Sequence, residues 1–163
     1  MSQLMNRPMQ PIAQPIASAD SEETGFGPHL MLDCRQCDPA KIADVAYIFE
    51  VLNTLPERIG MTKITQPYVF PYSGLVPEDK GVTGVVIIAE SHLSFHSFSE
   101  KDYFFFDLFS CKPFDVEAAR QFIVDAFGAQ EVETHYVERG RDFPRSTAPG
   151  KAPQLREPIA IGG

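Results

Sequence analysis

Glu90, Ser91 and His92 stand together where the most apolar stretch of the chain, residues 82–89, comes to an end. A carboxylate, a hydroxyl and an imidazole in consecutive positions can supply a nucleophile and a proton acceptor, and the ends of strands project such groups from a rigid base. The same three residues also suit a strand that turns polar where it reaches solvent. A hydrolase elbow is excluded, because the glycines of G-x-S-x-G are missing around Ser91. His92, Ser94 and His96 alternate with Leu93 and Phe95, so period 2 puts the three polar side chains on one strand face. Two histidines so placed could hold a metal ion or simply be solvated. Cys34-x-x-Cys37 offers half a zinc site or a redox pair, but no second C-x-x-C completes it, so no metal site is assigned. Cys111 follows an aromatic run and reads either as a catalyst or as a small buried hydrophobe.

The elements that must position these residues follow from periodicity and punctuation. Residues 29–34 form a short apolar strand. Asp38-Pro39 then gives a helix cap with proline at the first helical position. Ile42, Val45, Ala46, Phe49 and Leu52 recur at helical spacing until Pro56 stops the pattern. Residues 61–70 look like a strand that Pro67 restricts to an edge or an end. Residues 73–81 have the composition of a loop, 82–89 and 93–98 of strands, and 103–109 of an aromatic strand. Asp115 caps a second helix bearing Val116, Ala119, Ile123 and Phe127, closed by Gly128, and residues 131–137 form a last strand.

Two stretches repeat one order. Leu32-Asp33-Cys34 and Phe106-Asp107-Leu108 each lead through a cysteine to a capped helix and a strand. The expected fold is therefore α+β, a two-layer sandwich of a mostly antiparallel sheet with helices on one face, built from two similar strand–helix–strand units. Two helices cover one sheet face only. The other, supplied by many of the 13 phenylalanines, is expected to pack on a second subunit. Parity in residues 103–109 puts Tyr103, Phe105 and Phe109 on one face and Phe104, Phe106 and Leu108 on the other, without saying which faces outward.

The 163 residues suit one domain at roughly 100–200 residues each, with 44% hydrophobic and 22% charged residues. Residues 1–27 and 146–163 lack any sustained period and read as flexible tails around a domain at 28–145. A net charge of −8 argues against nucleic acid or an anionic membrane as partner and fits a small cationic substrate. No apolar run approaches the ~18 residues of a membrane helix, and no apolar leader precedes a cleavage site. With three cysteines, a reduced cytoplasmic protein without disulfides is expected.

Taken together, the run from Gly81-Val82-Thr83-Gly84 through Glu90-Ser91-His92-Leu93-Ser94-Phe95-His96, then Glu100, then Asp107-Leu108-Phe109-Ser110-Cys111, resembles the prokaryotic S-adenosylmethionine decarboxylase proenzymes. The resemblance extends from Gly27-Pro28-His29-Leu30 to Val137-Glu138-Arg139-Gly140-Arg141 and leaves out both tails. It implies self-cleavage between Glu90 and Ser91, giving chains of 90 and 73 residues, with Ser91 converted into a covalent pyruvoyl group. That group forms a Schiff base with the substrate amine and receives the electrons left by departing CO2. By the same resemblance Cys111 is the proton donor in turnover and His96 the acid or base of processing. Thr83 stands where the family has serine and could assist processing. Phe98 replaces the family's tryptophan as the aromatic that stacks on adenine, and Glu100 would accept hydrogen bonds from ribose hydroxyls. The second stacking aromatic falls on Val69, or on Phe70 with a shift.

Five residues of extended strand span roughly 16 Å, so a sharp bend after Ser91 is expected if His96 is to reach it. The resemblance implies an S-adenosylmethionine decarboxylase supplying spermidine synthesis, as a homodimer of cleaved protomers. The alternatives are the same chemistry on ornithine or arginine, and a non-catalytic scaffold that kept the fold.

Overall fold

The protein is described by a computed structural model covering residues 25–144. Most of the two expected tails lies outside the described residues. In chain order the elements are β1 (Gly27–Arg35), α1 (Pro39–Ile42), α2 (Val45–Arg58), β2 (Tyr68–Tyr72), β3 (Gly81–Ile88), β4 (Ser91–Phe98), β5 (Tyr103–Ser110), α3 (Val116–Phe127) and β6 (Glu131–Arg139). The strands form one sheet in the order β2-β3-β4-β5-β1-β6, with every neighbouring pair antiparallel. The expected α+β class holds. The two strand–helix–strand runs both occur, with their strands interleaved in the sheet instead of set side by side.

Alternation sorts each strand between two environments. Leu30, Leu32 and Cys34 of β1, Val82, Val86 and Ile88 of β3, Leu93 and Phe95 of β4, and Phe104, Phe106 and Leu108 of β5 are buried toward the helices. Ile48, Leu52 and Leu55 of α2 and Ala119, Ile123 and Phe127 of α3 meet them. At the centre Phe95, Phe104 and Phe127 pack with ring centroids 4.8–5.0 Å apart; aromatic pairs at such spacings contribute about 0.5–1.5 kcal/mol each beyond area burial. Ser97 is the polar exception in this layer. Its Oγ donates to the Ile42 carbonyl at 2.7 Å and accepts from the Val82 amide at 2.9 Å, so the buried hydroxyl is satisfied and ties α1 to the sheet. The ambiguity in residues 103–109 is thereby resolved: Phe104 and Phe106 are core, while Tyr103, Phe105, Asp107 and Phe109 point to the uncovered face.

Three local expectations are corrected. The first helix is two: Asp38 caps α1, and Asp44 caps α2 by accepting from the amides of Ala46 and Tyr47. Pro56 does not stop α2, which ends at Arg58. In the last turn proline removes one hydrogen bond that the burial of Leu52 and Leu55 outweighs. The strand expected at residues 61–70 begins only at Tyr68; residues 61–67 instead pair with the end of β3 through single contacts, including the bridge Lys63–Ile88. Asp115 and Gly128 cap α3 as expected, with Gly128 at φ 65°.

Gly84 lies where β3 passes under α2. A Cβ there would come 2.6 Å from Leu52 Cδ1 and 3.3 Å from Val69 Cγ2. Gly84→Val is expected to destabilise the protein by about 1–3 kcal/mol through overpacking, measurable as a lower melting temperature against wild type.

Candidate active site

The scissile dipeptide expected from the sequence sits at a tight turn. Ala89 and Glu90 alone connect β3 to β4, and Ile88 pairs with Ser91 across the hairpin. Two hydrogen bonds to Thr62 pin this turn from outside. The Ala89 amide donates to the Thr62 carbonyl at 2.8 Å, and the Glu90 carboxylate accepts from the Thr62 amide at 3.1 Å. The Cys111 amide, just past the end of β5, donates to the Glu90 carbonyl at 2.9 Å. The backbones of Glu90, Ser91 and Cys111 thus meet at one corner of the sheet.

Ser91 leaves the regular pleat, with φ 157°. Period 2 alone would set it on the opposite face from His92. In the fold its Oγ is 3.1 Å from His92 Nδ1. The open face around His92 carries the Phe109 ring, 6.0 Å away, and beyond it His29 and Arg139, both of which also lie against that ring. Burial lowers the pKa of His29 below the usual histidine value, and nearby Asp107 opposes this by raising it. Asp107 Oδ1 is 3.6 Å from His29 Nε2, and Asp107 also accepts from Ser94 Oγ at 3.1 Å.

The other candidates gather elsewhere. His96 Nδ1 lies 2.5 Å from Thr83 Oγ1 across the β3–β4 pair. The His96 ring meets Phe98 at 4.9 Å and Tyr72 at 5.4 Å between centroids. Phe70 pairs with Thr83 in the sheet register and packs on Tyr68 at 5.2 Å. Glu100 follows in the short helical turn after β4, where Lys80 Nζ holds its carboxylate at 2.6 Å.

The expected bend after Ser91 is absent. Residues Ser91–Phe98 form one strand, hydrogen-bonded to β3 on one side and to β5 on the other. A strand laddered on both edges cannot fold back without breaking both ladders. The bend precedes Ser91, at the hairpin turn, and Ser91 and His96 stay roughly 16 Å apart along β4. One protomer therefore presents two clusters, Glu90–Ser91–His92–Cys111 at one end of β4 and Thr83–His96–Phe98–Phe70 at the other. His92, Ser94, His96 and Phe98 of β4 point to the uncovered face, where Tyr68, Tyr72, Ile87 and Phe105 remain exposed.

Cys34 and Cys37 are buried free thiols, and burial pushes both up to about 12. Neutral thiols suit a packed core better than a metal site or a redox pair. Asp33, Glu133 and His135 of the open face lie close enough to share an ion, a grouping that sequence spacing does not reveal because it joins β1 to β6. Arg35 already counters the Glu133 charge at 3.9 Å, and His135 Nε2 lies 3.3 Å from the same carboxylate.

The fold, one antiparallel sheet with helices on one face, defines a class, the decarboxylase proenzymes. The family model described as S-adenosylmethionine decarboxylase matches residues 28–140. An S-adenosylmethionine decarboxylase proenzyme of Pyrococcus abyssi is 35% identical over 116 residues, covering 71% of this chain and 79% of the relative. One from Parasynechococcus marenigrum is 33% identical over 138 residues, covering 84% of this chain and 98% of the relative. The crystal structure of the Aquifex aeolicus adenosylmethionine decarboxylase superposes with a TM-score of 0.62 at 27% identity, covering 72% of this chain and 92% of that one. The chain belongs to the S-adenosylmethionine decarboxylase family. These relatives favour the S-adenosylmethionine decarboxylase reading over the ornithine or arginine decarboxylase and scaffold alternatives.

Thiol reactivity tests the geometry. At pH 8 in native buffer, one thiol per chain, half-buried Cys111, is expected to react with iodoacetamide, and all three are expected to react in denaturant. The raised values of Cys34 and Cys37 keep them protonated and unreactive at that pH.

Proposed function

We propose that the chain is a proenzyme that cuts itself between Glu90 and Ser91, generates a pyruvoyl group from Ser91, and then decarboxylates S-adenosylmethionine. The observation that carries this reading is the Cys111 amide on the Glu90 carbonyl. Attack by Ser91 Oγ on that carbonyl carbon places negative charge on its oxygen, and a fixed N–H already aimed there stabilises the charge without reorganisation. The pinned two-residue turn holds the nucleophile and the electrophile in one rigid corner. The family membership and the proenzyme names of the relatives support the same sequence of events.

Once formed, the pyruvoyl group supplies an electron sink for the carbanion left by CO2. The remaining tasks fall to side chains of this chain. Cys111, whose backbone amide is anchored on the Glu90 carbonyl next to Ser91, is the residue to return a proton to the former α-carbon. Phe98 and Phe70 offer ring faces to the adenine, and Glu100 offers oxygens to the ribose hydroxyls, with Lys80 as its competitor or its clamp.

His96 and Thr83 cannot serve the Ser91 of their own protomer. A second copy packed on the open face about a two-fold axis crossing β4 would bring the His96 end of one β4 over the Ser91 end of the other. This supports a homodimer of cleaved protomers, with each active site completed by residues of both copies, and it covers the exposed aromatic face. No helix among the described residues is long and apolar enough to cross a membrane.

Two outcomes check this reading. Intact-mass spectrometry of wild type should find chains of 90 and 73 residues, the second lacking the Ser91 amino group, and Ser91→Ala should remain a single 163-residue chain. An uncut wild-type chain overturns the assignment. Phe105→Glu should convert the dimer to monomers in light scattering and lower processing with it, because Phe105 is 39% exposed on the shared face. A monomeric variant that processes at the wild-type rate excludes the shared site.

A further inference from the structure

We propose that His92 is the base that starts self-cleavage, taking the proton from Ser91 Oγ within the same chain. The inference rests on the reading of Ser91 as the self-cleaving residue and adds the group that activates it. A serine hydroxyl is a poor nucleophile until a neighbouring base accepts its proton, and that base must lie within hydrogen-bond reach. Ser91 Oγ lies within hydrogen-bond distance of His92 Nδ1, at 3.1 Å. His96, the base suggested by family resemblance, is engaged with Thr83 at the far end of β4.

The surroundings fit the task. In its Nε2–H tautomer the ring offers Nδ1 as acceptor toward Ser91. Phe109 flanks the ring at 6.0 Å and limits its movement. The charged and titratable groups facing this corner are His29 from β1, Asp107 from β5 and Arg139 from β6, while β3 contributes Ile87 opposite His92. Burial disfavours the charged form of His29, and the Arg139 guanidinium over Phe109 adds fixed positive charge nearby. On the electrophile side the Cys111 amide holds the Glu90 carbonyl oxygen. Nucleophile, base and oxyanion donor therefore meet at one hairpin turn.

The step balances within the chain. The Ser91 Oγ–H proton moves to His92 Nδ1 as the bond from Oγ to the Glu90 carbonyl carbon forms, giving a cyclic tetrahedral intermediate with its negative charge on the Glu90 oxygen. The carbon–nitrogen bond then breaks, and the proton on His92 passes to the departing Ser91 nitrogen. An ester replaces an amide, and no external reactant is consumed. His92 thus acts first as base and then as acid. The later elimination that opens the ester is a separate step, left to other groups.

Hydroxylamine distinguishes these steps, because it cuts an ester far faster than an amide. Freshly purified His92→Gln protein, with its fold checked by circular dichroism and thermal melting, is expected to self-cleave about 10²–10⁴-fold more slowly than wild type. Its uncut chain should resist hydroxylamine, since the ester never forms, and added imidazole should restore part of the rate in the smaller variant His92→Ala. Wild-type cleavage should rise with pH and level off as a single base is deprotonated, and the rising limb should vanish in His92→Gln. The proposal is overturned if His92→Gln cleaves at the wild-type rate, or if its uncut chain is split at residues 90–91 by hydroxylamine, which would place His92 in the elimination. Failure of the self-cleavage reading itself would show separately, as a wild-type chain that never cuts.

Discussion

The ladder that holds β4 between β3 and β5 constrains everything else in this molecule. With both edges bonded, β4 must run straight from Ser91 to Phe98. Straightness fixes the Ser91 and His96 clusters at opposite ends of one strand, roughly 16 Å apart by strand rise. It also places the chain reversal before Ser91, so that the Glu90–Ser91 bond lies where the Ala89-Glu90 turn enters β4. The helices, core and caps on the far side of the sheet serve to keep this strand flat against its neighbours. Ser97 contributes directly, since its buried hydroxyl links β4 to α1 and β3 at once.

Much of this was legible in the residues, for physical reasons that can be named. Alternation in His92–Ser94–His96 placed them on one face, and the fold keeps them there. Asp115 and Gly128 carry their meaning locally, as a side-chain cap and a left-handed stop, and they were read correctly. The errors arise where tertiary contacts decide. Pro56 reads as a helix stop, but core packing of the preceding turn carries α2 past it. Asp38 reads as the cap of one long helix because nothing local reveals that Asp44 starts another. Residues 61–67 look extended and apolar enough for a strand, yet their partner is only the tip of the β3–β4 hairpin.

The site was legible as a set of residues and not as an arrangement. Glu90, Ser91, His96 and Cys111 were all named from the sequence and its family resemblance, but the bend that would join Ser91 to His96 does not exist. The amide of Cys111 is invisible to any reading of side-chain types, since every residue but proline carries one. His92 was in view throughout as the neighbour of Ser91. What hid its relation to the hydroxyl was strict alternation, which Ser91 breaks at the first position of its strand.

The strand order has a consequence for the cut form that the proposed cleavage would produce. A cut after Glu90 assigns β1, β2 and β3 to one polypeptide and β4, β5 and β6 to the other. Across the sheet the two polypeptides then read first, first, second, second, first, second. The fragments are braided, with three seams between them instead of one, and each holds strands enclosed by the other. Neither can peel away while the sheet persists. Unfolding the cut form therefore separates two molecules, so its apparent stability should depend on protein concentration, whereas that of the uncut form need not. The precursor can refold after losing its structure because its order is encoded in one chain. The cut form must reassemble a braid from loose ends, and its durability becomes a matter of how slowly it opens.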